Sequence, residues 1–142
     1  MQLQLLAIGL LLTGCTAAAP SVQSKGNAMA RLNYVELPAS DVKASRSFYE
    51  QAFGWHMTEF GPSYAATTTG DTDLGIDGDK AEQPKAPLPV IEVSNLEAAL
   101  AAVQGAGGTI VRPIFSFPGG RRFQFRDPSG NELAVSQPAA EK

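Results

Sequence analysis

Tyr34-Val35-Glu36-Leu37-Pro38-Ala39-Ser40-Asp41-Val42-Lys43-Ala44-Ser45-Arg46-Ser47-Phe48-Tyr49-Glu50-Gln51-Ala52-Phe53-Gly54-Trp55 contains one short strand and one helix with both ends marked. Tyr34 to Leu37 is a short extended run, and Asp41 is the residue type that caps a helix by accepting from the first free N–H groups. Val42, Ser45, Phe48, Tyr49, Ala52 and Phe53 then recur at helical spacing, and Gly54 supplies the left-handed stop.

The same order recurs downstream. Val90-Ile91-Glu92-Val93 is a second extended run, 56 residues on when the two runs are matched, and Ser94 with Glu97 forms a capping box. Leu96, Ala99, Leu100 and Val103 make the second apolar stripe, and Gly105 ends it. Each helix is followed by extended segments separated by turn residues: 56–60, 63–68 and 73–77 in the first half, 109–117, 122–126 and 132–137 in the second. Gln83 to Pro89, with three prolines, links the halves. The expectation is an α+β fold of two βαβββ modules, about 31–80 and 87–137, in one domain 31–137 with a tail at 138–142.

With 142 residues, 44% apolar and 18% charged, the chain has the composition of one globular domain. A net charge of −3 without same-sign runs argues against a nucleic-acid partner. No run of 18 apolar residues is present to cross a bilayer as a helix. Met1 to Pro20 has no charged side chain, and Leu3 to Leu12 spans only roughly 15 Å as a helix, the length of a signal-peptide core. Leu12-Thr13-Gly14-Cys15 follows and resembles the lipobox of bacterial lipoproteins. That resemblance implies a signal peptide over 1–14, lipidation of Cys15, a flexible tether over 15–30 and membrane attachment at the cell envelope, facing the periplasm or exterior. Met29 is the alternative start, and it would leave the domain cytoplasmic. Beyond Cys15 the chain has no cysteine, so no disulfide supports the domain.

Leu37-Pro38-Ala39-Ser40-Asp41, running into Ser47-Phe48-Tyr49-Glu50-Gln51-Ala52-Phe53-Gly54-Trp55, resembles the first module of the vicinal oxygen chelate superfamily. Phe125-Arg126-Asp127-Pro128-Ser129-Gly130-Asn131-Glu132-Leu133 resembles its closing hairpin. The superfamily includes glyoxalase I, bleomycin resistance proteins and extradiol dioxygenases. The resemblance implies curved mixed sheets around a cavity, with the reaction set by the lining.

Strand alternation assigns that lining. Val35, Leu37, Ile91, Val93, Leu133 and Val135 form the consistently apolar face, expected to pack on the two helices together with Phe123 and Phe125. Tyr34, Glu36, Glu92, Arg122 and Gln124 then face the concavity as candidate ligand-binding residues, with Val90 and Ala134 for apolar contact. Glu36 and Glu92 read as a pseudo-symmetric pair, open to two roles: a proton donor and acceptor, or structural partners of Arg122.

Catalytic relatives hold a metal with His, Gln or Glu from the first strand and a later strand of each half. Carried onto this chain, those positions fall on Tyr34, Leu88 and Ala134, with the fourth near Ile76 or Asp77. Three poor donors imply no metal and no cofactor. The reading that follows is a metal-free envelope lipoprotein that sequesters a small-molecule ligand, expected to be a homodimer. The alternatives are a metal-dependent lyase, isomerase or dioxygenase-type enzyme, and a non-catalytic structural or interaction module.

Overall fold

The computed structural model describes residues 30–140. Cys15, the lipobox-like run before it, Met29 and the segment expected to be a tether before residue 30 lie outside the described residues. The chain runs β1 (Arg31–Pro38), α1 (Val42–Phe53), β2 (Thr58–Glu59), β3 (Tyr64–Ala66), β4 (Asp73–Asp77), then β5 (Leu88–Glu92), α2 (Leu96–Gly105), β6 (Thr109–Phe117), β7 (Gly120–Arg126) and β8 (Glu132–Pro138). This is βαβββ twice, in one curled mixed sheet ordered β2-β3-β4-β1-β5-β8-β7-β6. The two modules join where β1 and β5 pair antiparallel at the sheet centre, and each first strand pairs parallel with its own module's last.

The α1 signals act as read: the Asp41 carboxylate accepts from Ala44 N–H, and Gly54 takes the left-handed conformation at φ 68°. The second helix differs. Its cap is Asn95, whose side chain accepts from Ala98 N–H, so Glu97 stands in the first turn and not at the reciprocal position of a capping box. Gly105 is still helical, and the chain turns at Ala106 and at Gly107, which has φ 91°. β2 and β3 are shorter than expected; past β3, the Asp73 carboxylate gathers Thr67, Thr69 and Gly70 into a tight loop.

The caps correct the internal repeat. Asp41 and Asn95 are 54 residues apart, which makes Tyr34 equivalent to Leu88, and Glu36 to Val90. The antiparallel register agrees, pairing Tyr34 with Val90 and Glu36 with Leu88 across a pseudo-twofold axis. Matching the hydrophobic runs gave 56 because both contain an apolar–Glu–apolar triplet, and only the cap positions separate the two alignments.

Two apolar clusters occupy the helix side. Val93, Leu96, Ala99, Phe123 and Val135 form the larger one, with Ile91, Leu100, Val103 and Phe125 against it. Ala39, Met57 and Ile76, with Val42 and Tyr49, form the smaller. α2 packs on β6, β7 and β8, whereas α1 packs on β3 and β4 and buries none of its own residues. Val35 and Leu37 on β1 are therefore only half-buried, short of the expected cover by both helices.

Candidate functional site

Residues paired across a ladder face the same side, so the register defines the concave face. β1 places Tyr34 and Glu36 there, β4 places Asp73, Gly75 and Asp77, and β3 places Tyr64. Leu88, Val90 and Ala134 form the buried apolar floor, packed against Tyr34. From the other module come Arg122 and Gln124 on β7 and Phe115 on β6.

Glu36 is the centre. It is 5% exposed, and its Oε2 lies 3.2 Å from Arg122 Nη1, although β5 and β8 separate the two strands in the sheet. Only the curl of the sheet brings these residues together across its hollow. Tyr64 Oη donates to Glu36 Oε2 at 3.4 Å, and Tyr34 Oη lies 2.6 Å from Tyr64 Oη. The order Tyr34 to Tyr64 to Glu36 provides each hydroxyl proton with an acceptor. Burial pushes Tyr34 up to about 12, partly offset by its bond to Tyr64, and burial with the neighbouring Tyr34 raises Tyr64 further. Both phenols therefore act as neutral hydrogen-bonding groups near neutral pH. Gly75 makes the pair possible, because a Cβ there would overlap both phenol oxygens.

The Arg122 side chain is 11% exposed and lies between Glu36 and the rings of Phe115 and Phe117, with its guanidinium carbon 5.2 and 5.3 Å from their centroids. Its Nε is buried without an acceptor among the described residues. Asp77 is 7% exposed and accepts from Asp79 N–H at 2.8 Å, but no Lys or Arg among the described residues pairs with it. Burial raises its pKa, opposed by the Asp79 N–H, and the Glu36 charge raises it further. Asp73 is the opposite case. Burial raises its pKa, but the four bonds from Thr67, Thr69 and Gly70 outweigh that and hold the carboxyl below its usual range.

Of the five residues expected to face the ligand, Tyr34, Glu36 and Arg122 meet in one network. Gln124 lies on the same face, half-buried and in register with Ala134. Glu92 does not join them: it sits four residues from Leu88, the partner of Glu36, which is about 13 Å along the strand. There it accepts from Asn33 Nδ2 at 2.7 Å and pairs with Arg31 at 3.5 Å. The two glutamates are not symmetry mates, and no acid–base pair forms between them. The alternation of Asp73-Leu74-Gly75-Ile76-Asp77 assigns Gly75 and Asp77 to the concave face, whereas the family resemblance marks Asp77 only as a candidate metal-ligand position and does not place Gly75.

The repeat also corrects the fourth of the metal-ligand positions. Applying the β5–β8 relation of Leu88 to Ala134 within β1–β4 leads from Tyr34 to Gly75, and not to Ile76 or Asp77; Ile76 points into the helix-side core. The four equivalent positions thus hold a phenol bonded to its neighbour, a hydrogen, an isobutyl group and a methyl. That donor set does not fit a divalent cation. Among the described residues no group of three or more His, Cys, Asp or Glu is placed to hold a metal ion.

Comparison with known proteins agrees with this architecture. The Glyoxalase/Bleomycin resistance protein/Dioxygenase superfamily pattern matches residues 31–135. A glyoxylase-like domain-containing protein of Didymella fabae is 30% identical over 117 residues, covering 74% of this chain and 91% of that protein. CFP32 of Mycobacterium tuberculosis is 28% identical over 116 residues, 74% of this chain and 44% of that protein, so the chain spans under half the length of this relative. Methylmalonyl-CoA epimerase from Mycobacterium tuberculosis shares the fold with TM-score 0.61 at 16% identity, covering 77% of this chain and 88% of that one. An extradiol ring-cleaving dioxygenase from B. fuscum does so with TM-score 0.62 at 20% identity, over 85% of this chain and 36% of that one. The repeated βαβββ module, its central β1–β5 seam and the match over residues 31–135 identify the chain as a member of the glyoxalase, bleomycin resistance protein and dioxygenase superfamily.

Proposed function

We propose that the concave face binds a small organic cation without a metal ion and sequesters it, in a protein held at the cell envelope through an acylated Cys15. The observation that carries this reading is the charge balance of the hollow. Glu36 and Asp77 are both buried there against a single guanidinium, Arg122. A buried carboxylate without a counter-ion is costly, and a cationic group placed beside Asp77 relieves that cost. The Tyr34 and Tyr64 rings and the Leu88–Val90–Ala134 floor supply apolar and aromatic contact for the body of such a ligand. Arg122 can give up Glu36 to the ligand while its guanidinium stays over Phe115 and Phe117.

Calorimetric titration of chelator-treated protein against a panel of aromatic and aliphatic amines tests the reading. A saturable ligand whose affinity is unchanged by EDTA is the expected result. Silence across the panel, or binding that appears only on adding a divalent cation, would refute it. The second outcome would point to a metal-dependent enzyme, and elemental analysis of protein purified without chelator checks that independently.

One observation favours a second reading, a scaffold whose hollow is filled by its own side chains. Two surface grooves, of about 580 and 330 Å³, reach the concave face only at its margins, through Leu88 in the first and Phe117 in the second, and neither is lined by Tyr34, Glu36, Tyr64, Asp77 or Arg122. Binding at the concave face therefore requires the Arg122–Glu36 bridge to open. A panel that binds only variants lacking Arg122 would support the filled scaffold.

A further inference from the structure

The helix side carries apolar surface that nothing in the fold covers. Phe48 and Phe53 on α1 are 58% and 60% exposed, Trp55 is 43% and Leu32 52%. With Tyr49 the three aromatic residues form one continuous cluster: Phe53 and Trp55 centroids are 5.4 Å apart, Tyr49 and Trp55 5.7 Å, Phe48 and Tyr49 5.2 Å. Helical spacing alone marks Phe48 and Phe53 for a core, yet α1 turns both outward, while Tyr49 between them is half-buried against the smaller core cluster.

Their location follows from the register. Thr58 lies opposite Ala66, Ala66 opposite Gly75, and Gly75 opposite Glu36. β2 therefore runs in the same direction as β1, and Trp55, three residues before Thr58, lies toward the end of the sheet where β1 begins. Leu32 is at that same end, on the helix side with Ile91. The aromatic face and the point where the N-terminal segment enters the domain therefore share one end of the molecule.

We propose that this face docks on the interfacial zone of a phospholipid bilayer, so that the domain lies on the membrane and does not swing free of it. The inference rests on anchoring through Cys15. Fifteen residues, 16–30, separate that cysteine from β1, and a flexible chain of that length has a root-mean-square span of about 20 Å. A patch at the tether's own end of the domain is then held beside the lipid at an effective concentration in the millimolar range, where even weak insertion is populated. The chemistry matches the interface. Tryptophan and other aromatic rings favour the headgroup boundary, where one edge is apolar and the indole N–H stays wet. The nearby Arg46 is engaged by Glu50 and Glu59, so the attraction is apolar and not a demand for acidic lipid.

Trp55 is the only tryptophan in the chain and reports the contact directly. The full chain, produced in a lipoprotein-processing bacterium and reconstituted in phosphatidylcholine vesicles, is compared with its Cys15→Ser variant in solution. The expected result is an acyl mass at Cys15, co-flotation with vesicles, and Trp55 emission that shifts to shorter wavelength and falls by about twofold or more when the lipid carries bromine near the acyl–headgroup boundary. Phe48→Ser together with Phe53→Ser should float equally but lose most of that quenching. If the acylated chain floats while Trp55 remains as open to iodide as in the Cys15→Ser protein, the docking is overturned and the anchor stands. An unacylated, non-floating chain overturns both. A shift in Trp55 emission that tracks protein concentration without lipid assigns the face to a second copy of the chain and also overturns the proposal.

Discussion

Gly75→Ala tests whether the phenol pair is the keystone of the concave face. A methyl built on Gly75 overlaps the hydroxyl oxygens of Tyr34 and Tyr64 and stands 2.8 Å from Tyr34 Cε1. At least one ring must move. Moving either breaks the 2.6 Å bond between them, and moving Tyr64 also removes a donor from Glu36. Overpacking of a closed site costs about 1–3 kcal/mol, and a buried hydroxyl left without its partner adds about 1 kcal/mol or more. The substitution should therefore destabilise the domain by about 2–4 kcal/mol in urea unfolding monitored by far-UV circular dichroism. The source of that loss is separable. In a Tyr34→Phe, Tyr64→Phe background both hydroxyls are absent, so Gly75→Ala should cost about half as much, leaving only the Cε1 contact. A Gly75→Ala protein within about 0.5 kcal/mol of the parent would show that the rings are not fixed as described, and the hydroxyl relay to Glu36 would go with it.

Arg122→Ala leaves the Glu36 carboxylate buried and should cost about 3–5 kcal/mol, whereas Arg122→Met with Glu36→Leu should recover most of it, read by the same denaturation. Asp77 has a raised folded-state pKa, so its contribution is fully present below the unfolded value and is lost as pH rises through the folded one. Asp77→Asn, which keeps the acceptor for Asp79 N–H, should be the more stable protein at pH 7 and converge with the parent near pH 3 in thermal melts. Asp73 has the opposite sign: its depressed pKa contributes stability above the unfolded value that is lost as pH falls, and Thr67→Ala should flatten that acid limb. A cation bound beside Asp77 should displace a proton there, so titrations in two buffers of different ionisation heat should diverge in the acid range and coincide for Asp77→Asn.

What could be read from the sequence was local, and what could not was the geometry between distant strands. Asp41 and Gly54 mark the ends of α1 because a cap and a left-handed stop depend on a few consecutive residues. Alternation assigns Phe123 and Val135 to the helix side because β7 and β8 are long enough for their pleat to persist, and Val93 follows directly on the central strand β5. Register was harder. Val35-Glu36-Leu37 and Ile91-Glu92-Val93 share an apolar–Glu–apolar shape that favours an offset of 56 over 54, and a two-residue slip keeps every side chain on its face, so alternation cannot detect it. The slip nevertheless made Glu92 look like the mate of Glu36. The bridge from Arg122 to Glu36 spans 86 residues and two intervening strands, and it exists only because the sheet curls. The aromatic face of α1 shows the converse limit. Helical periodicity establishes that Phe48, Tyr49 and Phe53 lie close together, but whether sheet, lipid or a second chain covers them depends on where the helix lands, and α1 lands over β3 and β4 with Tyr49 half-buried and Phe48 and Phe53 outward. A sequence of this fold therefore specifies its modules first and its chemistry last, because the hollow is built from side chains whose proximity is a property of sheet curvature.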